Sequence, residues 1–311
     1  MDLNLLLDKY PIKMLEMLTG KLLGDGNLTD EAGKRPRLRF SHSIKDSGWC
    51  FHCYKELKDF LPITAPVYRK INDSRLKAGY SEQYYVQSKT TPILNNLKPL
   101  WYKQRKKILP YELLEKTMTP LALAWWYQDD GHLKIMGPTP LKIVLSTDSF
   151  DPAENTFLRE LLFCRYNLSF NIDGQNRLVL YNQKQIHAYL RIVNIYIHKT
   201  MGRKTIHIED QKPLVDSGSK RTTIYLPALI KLNKPTEEIH KALENVMILR
   251  SEKIYEIYTG FFSSNTKSFS KKGYQVTLYS QHLSFLHRVR IDTGMNMSEI
   301  VSIGLMLNKN E

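Results

Sequence analysis

The chain has 311 residues, 42% of them hydrophobic, with 18 tyrosines and 11% aromatics overall, so burying a large core is no difficulty and wholesale disorder is excluded. Lys and Arg outnumber Asp and Glu by 45 to 31, a formal charge of +14, which points to a polyanionic partner because neutralised phosphates release their condensed counterions. No apolar run is long enough to span a membrane, no secretory segment is recognisable in MDLNLLLDKYPIKM, and the odd count of three cysteines suits a reducing, intracellular compartment such as a bacterial or phage-infected cytoplasm or an organelle matrix.

The first predicted element is the apolar helix MLEMLTGKLLGDGNL, residues 14–28, which stops at Asp25-Gly26. In the following strand, PRLRFSHS, side chains alternate: Arg37, Arg39 and Ser41 share one face, Leu38 and Phe40 the other. An amphipathic helix, GWCFHCYKELKDF, comes next. Its Cys50 and Cys53 flank His52 like half a zinc site, but no second pair follows. These two and Cys164, in FLRELLFCRY, are expected as buried helix thiols. PVYRKI (66–71) and EQYYVQSK (82–89) read as strands separated by the loop NDSRLKAG. The apolar helix TPILNNLKPLWY and the basic patch KQRKKILP (103–110) close this region.

The series then starts again. Thr119 is placed to cap and Pro120 to open the helix PLALAWWYQDDGHL. That helix ends on Asp129-Asp130-Gly131, where the macrodipole disfavours negative charge. Ser146 follows Gly131 at the spacing by which Ser41 follows Gly26, and Lys142 takes the place of Arg37. The helix PAENTFLRELLF, the strands LSFNID (168–173) and NRLVLYNQ (176–183), the helix QIHAYLRIVNIYI and the basic patch HKTMGRKTI (198–206) complete a second pass. Helix–strand–strand–helix–strand–strand–helix thus occurs twice between about residues 11 and 208. Two half-solvated sheets with basic outer faces read as a saddle for DNA.

LTGKLLGDG (18–26) and LAWWYQDDG (123–131), set at equivalent places in this repeat, resemble the two motifs of single-chain LAGLIDADG homing endonucleases. LSTDSF (145–150) with its following helix is similar to the second half of such proteins. The resemblance implies that the motif helices pack side by side at a pseudo-twofold, with Thr19, Gly20, Gly24 and Ala124 allowing close approach. Trp125, standing where Gly20 does, departs from the pattern and leaves the close approach to Ala124. The resemblance further implies that Asp25 and Asp130 bind divalent metal, magnesium in the first place and two or more ions, where the halves meet. It also implies that Lys107 and Lys204 assist near the phosphates, with Lys106 the alternative to Lys107, whereas Asp129, whose counterpart is Gly24, lies outside the metal shell. Arg37, Arg39, Tyr85 and Gln87 in one half and Lys142, Arg177 and Tyr181 in the other are the candidate DNA-reading residues.

Beyond Glu209 the polar stretch EDQKPLVDSGSK reads as a linker. KRTTIYLPAL (220–229) and YQVTLYSQHL (274–283) then echo one another, as do NKPTEEIHKALENVMI and NMSEIVSIGLMLNK, each opening on N-cap residues. Strand, helix and N-capped helix resemble the ribbon–helix–helix DNA-binding module. Two copies would pair strands 221–226 and 274–279, presenting Arg221, Thr223 and Tyr225 beside Gln275, Thr277 and Tyr279. This tail carries 14 Lys+Arg against 11 Asp+Glu, so most of the positive charge lies before it.

The expected fold is α+β: a pseudo-twofold tandem αββαββα repeat with two antiparallel saddle-shaped sheets, plus a smaller ribbon–helix–helix-like domain. Its parts are 1–110 and 111–208 (the two halves), 209–220 (linker) and 221–311 (extension). The implied activity is metal-dependent, site-specific cleavage of double-stranded DNA leaving short 3′ overhangs, by a monomer with internal pseudo-symmetry and no membrane partner. The alternatives are an RNA splicing maturase acting on its own intron RNA, a non-cleaving DNA-binding regulator, and a structural DNA-bridging protein.

Overall fold

The computed structural model describes residues 3–29, 31, 33–137, 139–206, 218–262 and 270–307. The chain divides into two compact units, one of residues 1–182 and 189–206, the other of residues 183–188 and 207–311. The expected linker lies mostly outside the described residues. The boundary expected near residue 208 is also crossed once, because six residues at 183–188 group with the second unit.

In the first unit, α1 (Leu3–Lys9) and α2 (Ile12–Leu23) precede β1 (Asn27–Leu28), β2 (Leu38–Ser43), α3 (Ser47–Leu57), β3 (Val67–Asn72), β4 (Tyr80–Gln87) and α4 (Pro92–Trp101). A short hairpin, β5 (Tyr102–Lys103) with β6 (Lys106–Lys107), follows. Then come α5 (Tyr111–Thr117), α6 (Pro120–Asp130), β7 (Gly131–Met136), β8 (Thr139–Leu145), α7 (Pro152–Tyr166), β9 (Asn171–Ile172), β10 (Leu178–Leu180) and α8 (Gln183–Asn194), the last shared with the second unit. A 3-10 segment, Lys199–Lys204, closes the unit.

The two sheets have matching orders, β1-β2-β4-β3 and β7-β8-β10-β9, all antiparallel. Alternation builds them as expected: Leu38, Phe40 and His42 of β2 are buried while Arg39, Ser41 and Ser43 face outward. In the second sheet Ile143, Leu145, Leu178 and Leu180 supply the inner face. Asp151 starts α7 with a capping box to Glu154, and Asn167 ends it in the left-handed region.

At the centre α2 packs against α6. A Cβ on Gly20 would lie 2.5 Å from the Ala122 carbonyl oxygen and from the Trp125 Cβ, so only glycine permits this approach. Ala124 was expected to make the close approach in place of Trp125, and the structure corrects this. Trp125 itself meets Gly20 through its Cβ, while its ring turns away to stack edge-on against Trp49 at 5.3 Å. Cys50 and Cys53 are buried, but Cys164 is exposed, because the buried stripe of α7 runs through Leu158, Leu161 and Leu162.

In the second unit, β11 (Ser219–Pro227), α9 (Pro235–Met247), α10 (Ser251–Phe262), β12 (Lys271–Tyr279), α11 (Ser280–Thr293) and α12 (Met297–Leu307) enclose a core including Ile224, Leu226, Val276, Leu278 and Val289. β11 and β12 pair antiparallel with Thr223 opposite Gln275 and Arg221 opposite Thr277. The first copy is the shorter one between strand and second helix: β11 passes through a turn straight to α9, without a helix between, and α10, which was not expected, is added after it. α9 and α12 pack together with Gly304 against the Ala242 carbonyl; Asn296 caps α12 through the Glu299 N–H, whereas α9 opens after Lys234 without the side-chain cap expected of it. Among the described residues no helix is long and apolar enough to cross a membrane.

Candidate active site

The ends of α2 and α6 bring three carboxylates together, and each is held differently. The Asp129 side chain is fully buried. It lies flat on Gly24, where a Cβ would sit 2.5 Å from the Asp129 Cβ. Its oxygens accept from Lys21 Nζ at 2.7 and 3.0 Å, from Trp49 Nε1 at 2.7 Å and from the Asp25 backbone N–H at 3.2 Å. The Gly24–Asp129 exchange between repeats therefore makes room beside α2 for the acid of α6, which pairs with Lys21 of α2.

Asp25 is partly open to solvent, with its Oδ2 3.2 Å from His42 Nδ1. His42 Nε2 lies 2.8 Å from Lys21 Nζ. An ammonium only donates, so Nε2 accepts and the ring proton sits on Nδ1, facing Asp25. Burial raises the Asp25 carboxyl, but the hydrogen bond from His42 and the nearby ammonium groups of Lys21 and Lys204 more than reverse this and hold it below its usual range. Lys21 is raised above its ordinary value, since Asp129 outweighs the cost of burial. The ammonium also lies 4.5 Å from the Phe40 ring centre and 5.2 Å from that of Trp49.

Asp130 has none of this company. Among the described residues no hydrogen bond or ion pair reaches its carboxylate, and burial, with the charges of Asp25 and Asp129, pushes it up to about 7. Its backbone carbonyl accepts from Ser146 N–H at 3.0 Å, tying the helix end to the second sheet.

Lys107 and Lys204 reach the two helix ends from the closing segments of their halves. Lys107 Nζ donates to the carbonyls of Leu22 and Gly26 at 2.8 and 2.9 Å. Lys204 Nζ donates to those of Tyr127, Gln128 and Asp129 at 3.1, 2.6 and 3.2 Å. Each thus caps a C-terminus, satisfying orphan carbonyls and offsetting the negative end of the macrodipole. Burial lowers both, Lys204 to about 8. This answers the oddity of acids at a helix C-terminus: a cation sits under each, Lys204 buried and Lys107 partly exposed.

The remaining candidates fall on outward faces. Arg39 Nε donates to Gln87 Oε1 at 2.7 Å, Arg69 stacks 3.6 Å over the Tyr85 ring, and Arg37 flanks them half-exposed. On the second sheet Lys142 stands opposite Lys134, Tyr181 is exposed, and Arg177 is held by Asp173 at 2.7 Å. In the second unit Tyr225 and Tyr279 are exposed and Arg221 donates to Gln275 Oε1 at 2.6 Å, with Thr223 and Thr277 on the same outward face. Of the helix-interface set, Thr19 bonds Thr117 of α5 at 2.8 Å, and Gly20 and Gly24 line the crossing. Ala124 is buried without being among the three nearest neighbours of Gly20.

Sequence reading missed Lys21, His42 and Trp49. Two signals were available. Lys21 is a lone cation inside an otherwise apolar motif helix, and His42 falls on the inward parity of its strand.

Oxygen donors of Asp25 and Asp130 suit a hard divalent cation. The fit is physical: a cation would stabilise the ionised carboxylate that burial, with the charges of Asp25 and Asp129, now disfavours at Asp130. Ligand atoms of Asp25, His42 and Asp129 also lie within 4.8 Å of one another. There, however, the Lys21 ammonium already bridges Asp129 and His42, which leaves the carboxylates of Asp25 and Asp130 as the residues that would hold an ion.

A profile of the LAGLIDADG DNA endonuclease family matches residues 15–190. DNA endonuclease I-ChuI of Chlamydomonas applanata is 27% identical over 49% of this chain and 72% of its own length. Cytochrome b mRNA maturase bI2 of Debaryomyces hansenii is 29% identical over 58% of this chain and 66% of its own. Among solved structures, the homing endonuclease I-WcaI bound to its DNA recognition sequence is similar with a TM-score of 0.56 and 21% identity, covering 63% of this chain and 87% of that one. At that identity the likeness is one of fold.

Proposed function

We propose, since the chain belongs to the LAGLIDADG DNA endonuclease family, that it is a site-specific homing endonuclease which hydrolyses one phosphodiester in each strand of a long DNA duplex. The observation that carries this reading is the pair Asp25 and Asp130 at the adjacent, lysine-capped ends of α2 and α6. A protein that only bound DNA would have little use for two carboxylates against phosphates.

Asp25 and Asp130 would hold the divalent ions, magnesium by donor type, which supply an activated water and neutralise charge on the phosphate in flight. His42 Nδ1–H fixes the orientation of Asp25. Lys107 and Lys204, bonded to main-chain carbonyls, lower the negative potential under each acid so that a phosphate can approach. Arg39, Tyr85 and Gln87 on one sheet and Lys142 and Tyr181 on the other read bases and grip the backbone. The outward ribbon face of Arg221, Thr223, Tyr225, Gln275, Thr277 and Tyr279 adds a second, tethered contact that raises affinity without cutting.

A second reading, an RNA maturase, is favoured by the similarity to a cytochrome b mRNA maturase. One experiment separates the two. The protein, with Asp25→Asn, Asp130→Asn, the double variant and Arg221→Ala, is incubated with a randomised duplex library and magnesium. Each single Asn variant should lose cleavage of one strand by a factor on the order of a hundred or more, as loss of a preorganised electrostatic group does. The double variant should bind without cutting, and Arg221→Ala should weaken binding while leaving the cut position unchanged. Wild-type binding with no magnesium- or manganese-dependent cut removes the nuclease reading, and intron splicing that survives the double variant establishes the maturase.

A further inference from the structure

The two capping lysines are each preceded by a second base: Lys106-Lys107 in the first half, Arg203-Lys204 in the second. These neighbours point across the pseudo-twofold. Lys106 Nζ lies 2.7 Å from both oxygens of Asp151, the residue that opens α7 in the second half. Arg203 lies 2.8 Å from Asp46, the residue that opens α3 in the first half. Asp46 and Asp151 are separated by the same spacing as Asp25 and Asp130, so they are equivalent positions of the repeat.

Each crossing is reinforced nearby. Leu109 N–H donates to Glu154 Oε1 at 2.8 Å, with Glu154 buried in the capping box of α7. On the other side Gly48 packs directly on Thr200, and the His52 and His198 rings stack at 4.8 Å. The second base of each pair then returns to its own half: Lys107 to the carbonyls ending α2, Lys204 to those ending α6. Sequence adjacency leaves little slack, because consecutive Cα atoms are fixed at about 3.8 Å. Where the first base is anchored, the second is placed.

We propose that Lys106 and Arg203 are crossed positioning residues, each anchored on the acid that opens a helix of the opposite half and thereby setting the capping lysine of its own half. The carboxylate end of each half is thus held in register by the other half. Neither residue touches the reacting atoms, and both act through the lysine beside them.

The test reads the two lysines separately in the full-length protein. Wild type, Asp151→Asn and Asp46→Asn are treated with an amine-acetylating ester, and labelling of Lys107 and Lys204 is followed by peptide mass spectrometry. Asparagine keeps helix-capping ability, so α7 and α3 should stay intact. Asp151→Asn should speed labelling of Lys107 about two- to fivefold, the range a partly exposed ion pair supports, and leave Lys204 unchanged. Asp46→Asn should do the converse, and Asp151→Glu and Asp46→Glu should restore protection. Equal changes at both lysines, a change only at the lysine of the substituted half, or no change would overturn the proposal.

A second arm rests on the proposed nuclease activity. Asp151→Asn should slow, about two- to fivefold, the strand whose cleavage Asp25→Asn removes, and Asp46→Asn the strand that depends on Asp130. Slowing of both strands alike overturns the crossing. If wild type never cuts, the nuclease reading fails, while the labelling arm still decides this one.

Discussion

At the end of α2 the carboxylate of Asp25 sits in company: His42 donates to it, and the Lys21 ammonium lies one hydrogen bond behind. At the end of α6, Asp130 occupies the equivalent position with neither. The repeat spacing shows what replaced them. Trp126 stands where Lys21 does and is fully buried, and Thr147 stands where His42 does. Thr147 serves the sheet instead, donating to the Asn176 carbonyl and accepting from Leu178 N–H. The two halves have kept the acid and its lysine cap and have diverged in the residues that face the acid from its own helix and strand. The proposed cleavage of both strands needs two carboxylates in symmetric places, but the fold needs only one buried ion pair across the helix crossing.

That contrast breaks most visibly at Lys21. Replacing it with Met leaves Asp129 charged and buried, with only Trp49 and one backbone N–H as donors, and should cost about 3–5 kcal/mol. Urea unfolding midpoints measure the loss. Lys21→Met/Asp129→Leu, which removes both charges, should recover much of it. A loss under about 1 kcal/mol for the single variant would mean that the pair stabilises nothing, contrary to the cost of an orphaned buried charge.

The next largest effect sharpens the comparison through pH. Asp130 is held at about 7, against 3.8 for an ordinary aspartate. Between those values the folded protein binds a proton that the unfolded chain lacks, so metal-free stability falls as pH rises from about 4 to about 7. Asp130→Asn abolishes that slope and should stabilise the metal-free protein at pH 8 by about 2–4 kcal/mol. Asp25 has the opposite sign. Its carboxyl is held low, so its contribution is present at neutral pH and is lost as pH falls below the ordinary aspartate value, and Asp25→Asn should not stabilise at pH 8. Thermal unfolding across pH 4–8, in chelator, checks both. Equal shifts for the two variants would mean that the two carboxylates are equivalent after all.

How much of this was legible follows from which signals are local. The helix-strand series and the two Asp-Gly ends are local, and they gave the repeated element order and the position of Asp25 and Asp130 at equivalent helix ends; the order of strands within each sheet came only with the fold. Strand parity is local too, and placed Arg39 and Ser41 on the outward face of β2. The Asp129 ion pair was not legible, because its partners Lys21 and Trp49 come from another half and only the fold brings them together. Trp125 was misjudged for a related reason: a residue-type mismatch at an aligned position says nothing about where the ring points. Lys107 and Lys204 stand where position put them but touch something else, since a basic patch in sequence does not reveal whether it faces a phosphate or a helix carbonyl.

The smallest expected effect concerns what the halves still share. Lys204 bonds three carbonyls from a buried position, and Lys107 bonds two while half-exposed. Each Met substitution removes a cap but also relieves the cost of burying a charge, visible in the lowering of Lys204 to about 8. The two terms oppose, so Lys204→Met should cost only about 1 kcal/mol at pH 7, and Lys107→Met less. The sign of the pH dependence separates them from a plain loss of packing. Between about 8 and the ordinary lysine value of 10.5 the unfolded chain holds a proton that folded Lys204 has released, so wild-type stability gains a rising component there. Lys204→Met should lack that component, and the difference between the two proteins should widen as pH increases from 8 to 10. A constant difference across that range would mean that the ammonium is not strained by burial, and that the cap under Asp130 is as relaxed as the one under Asp25.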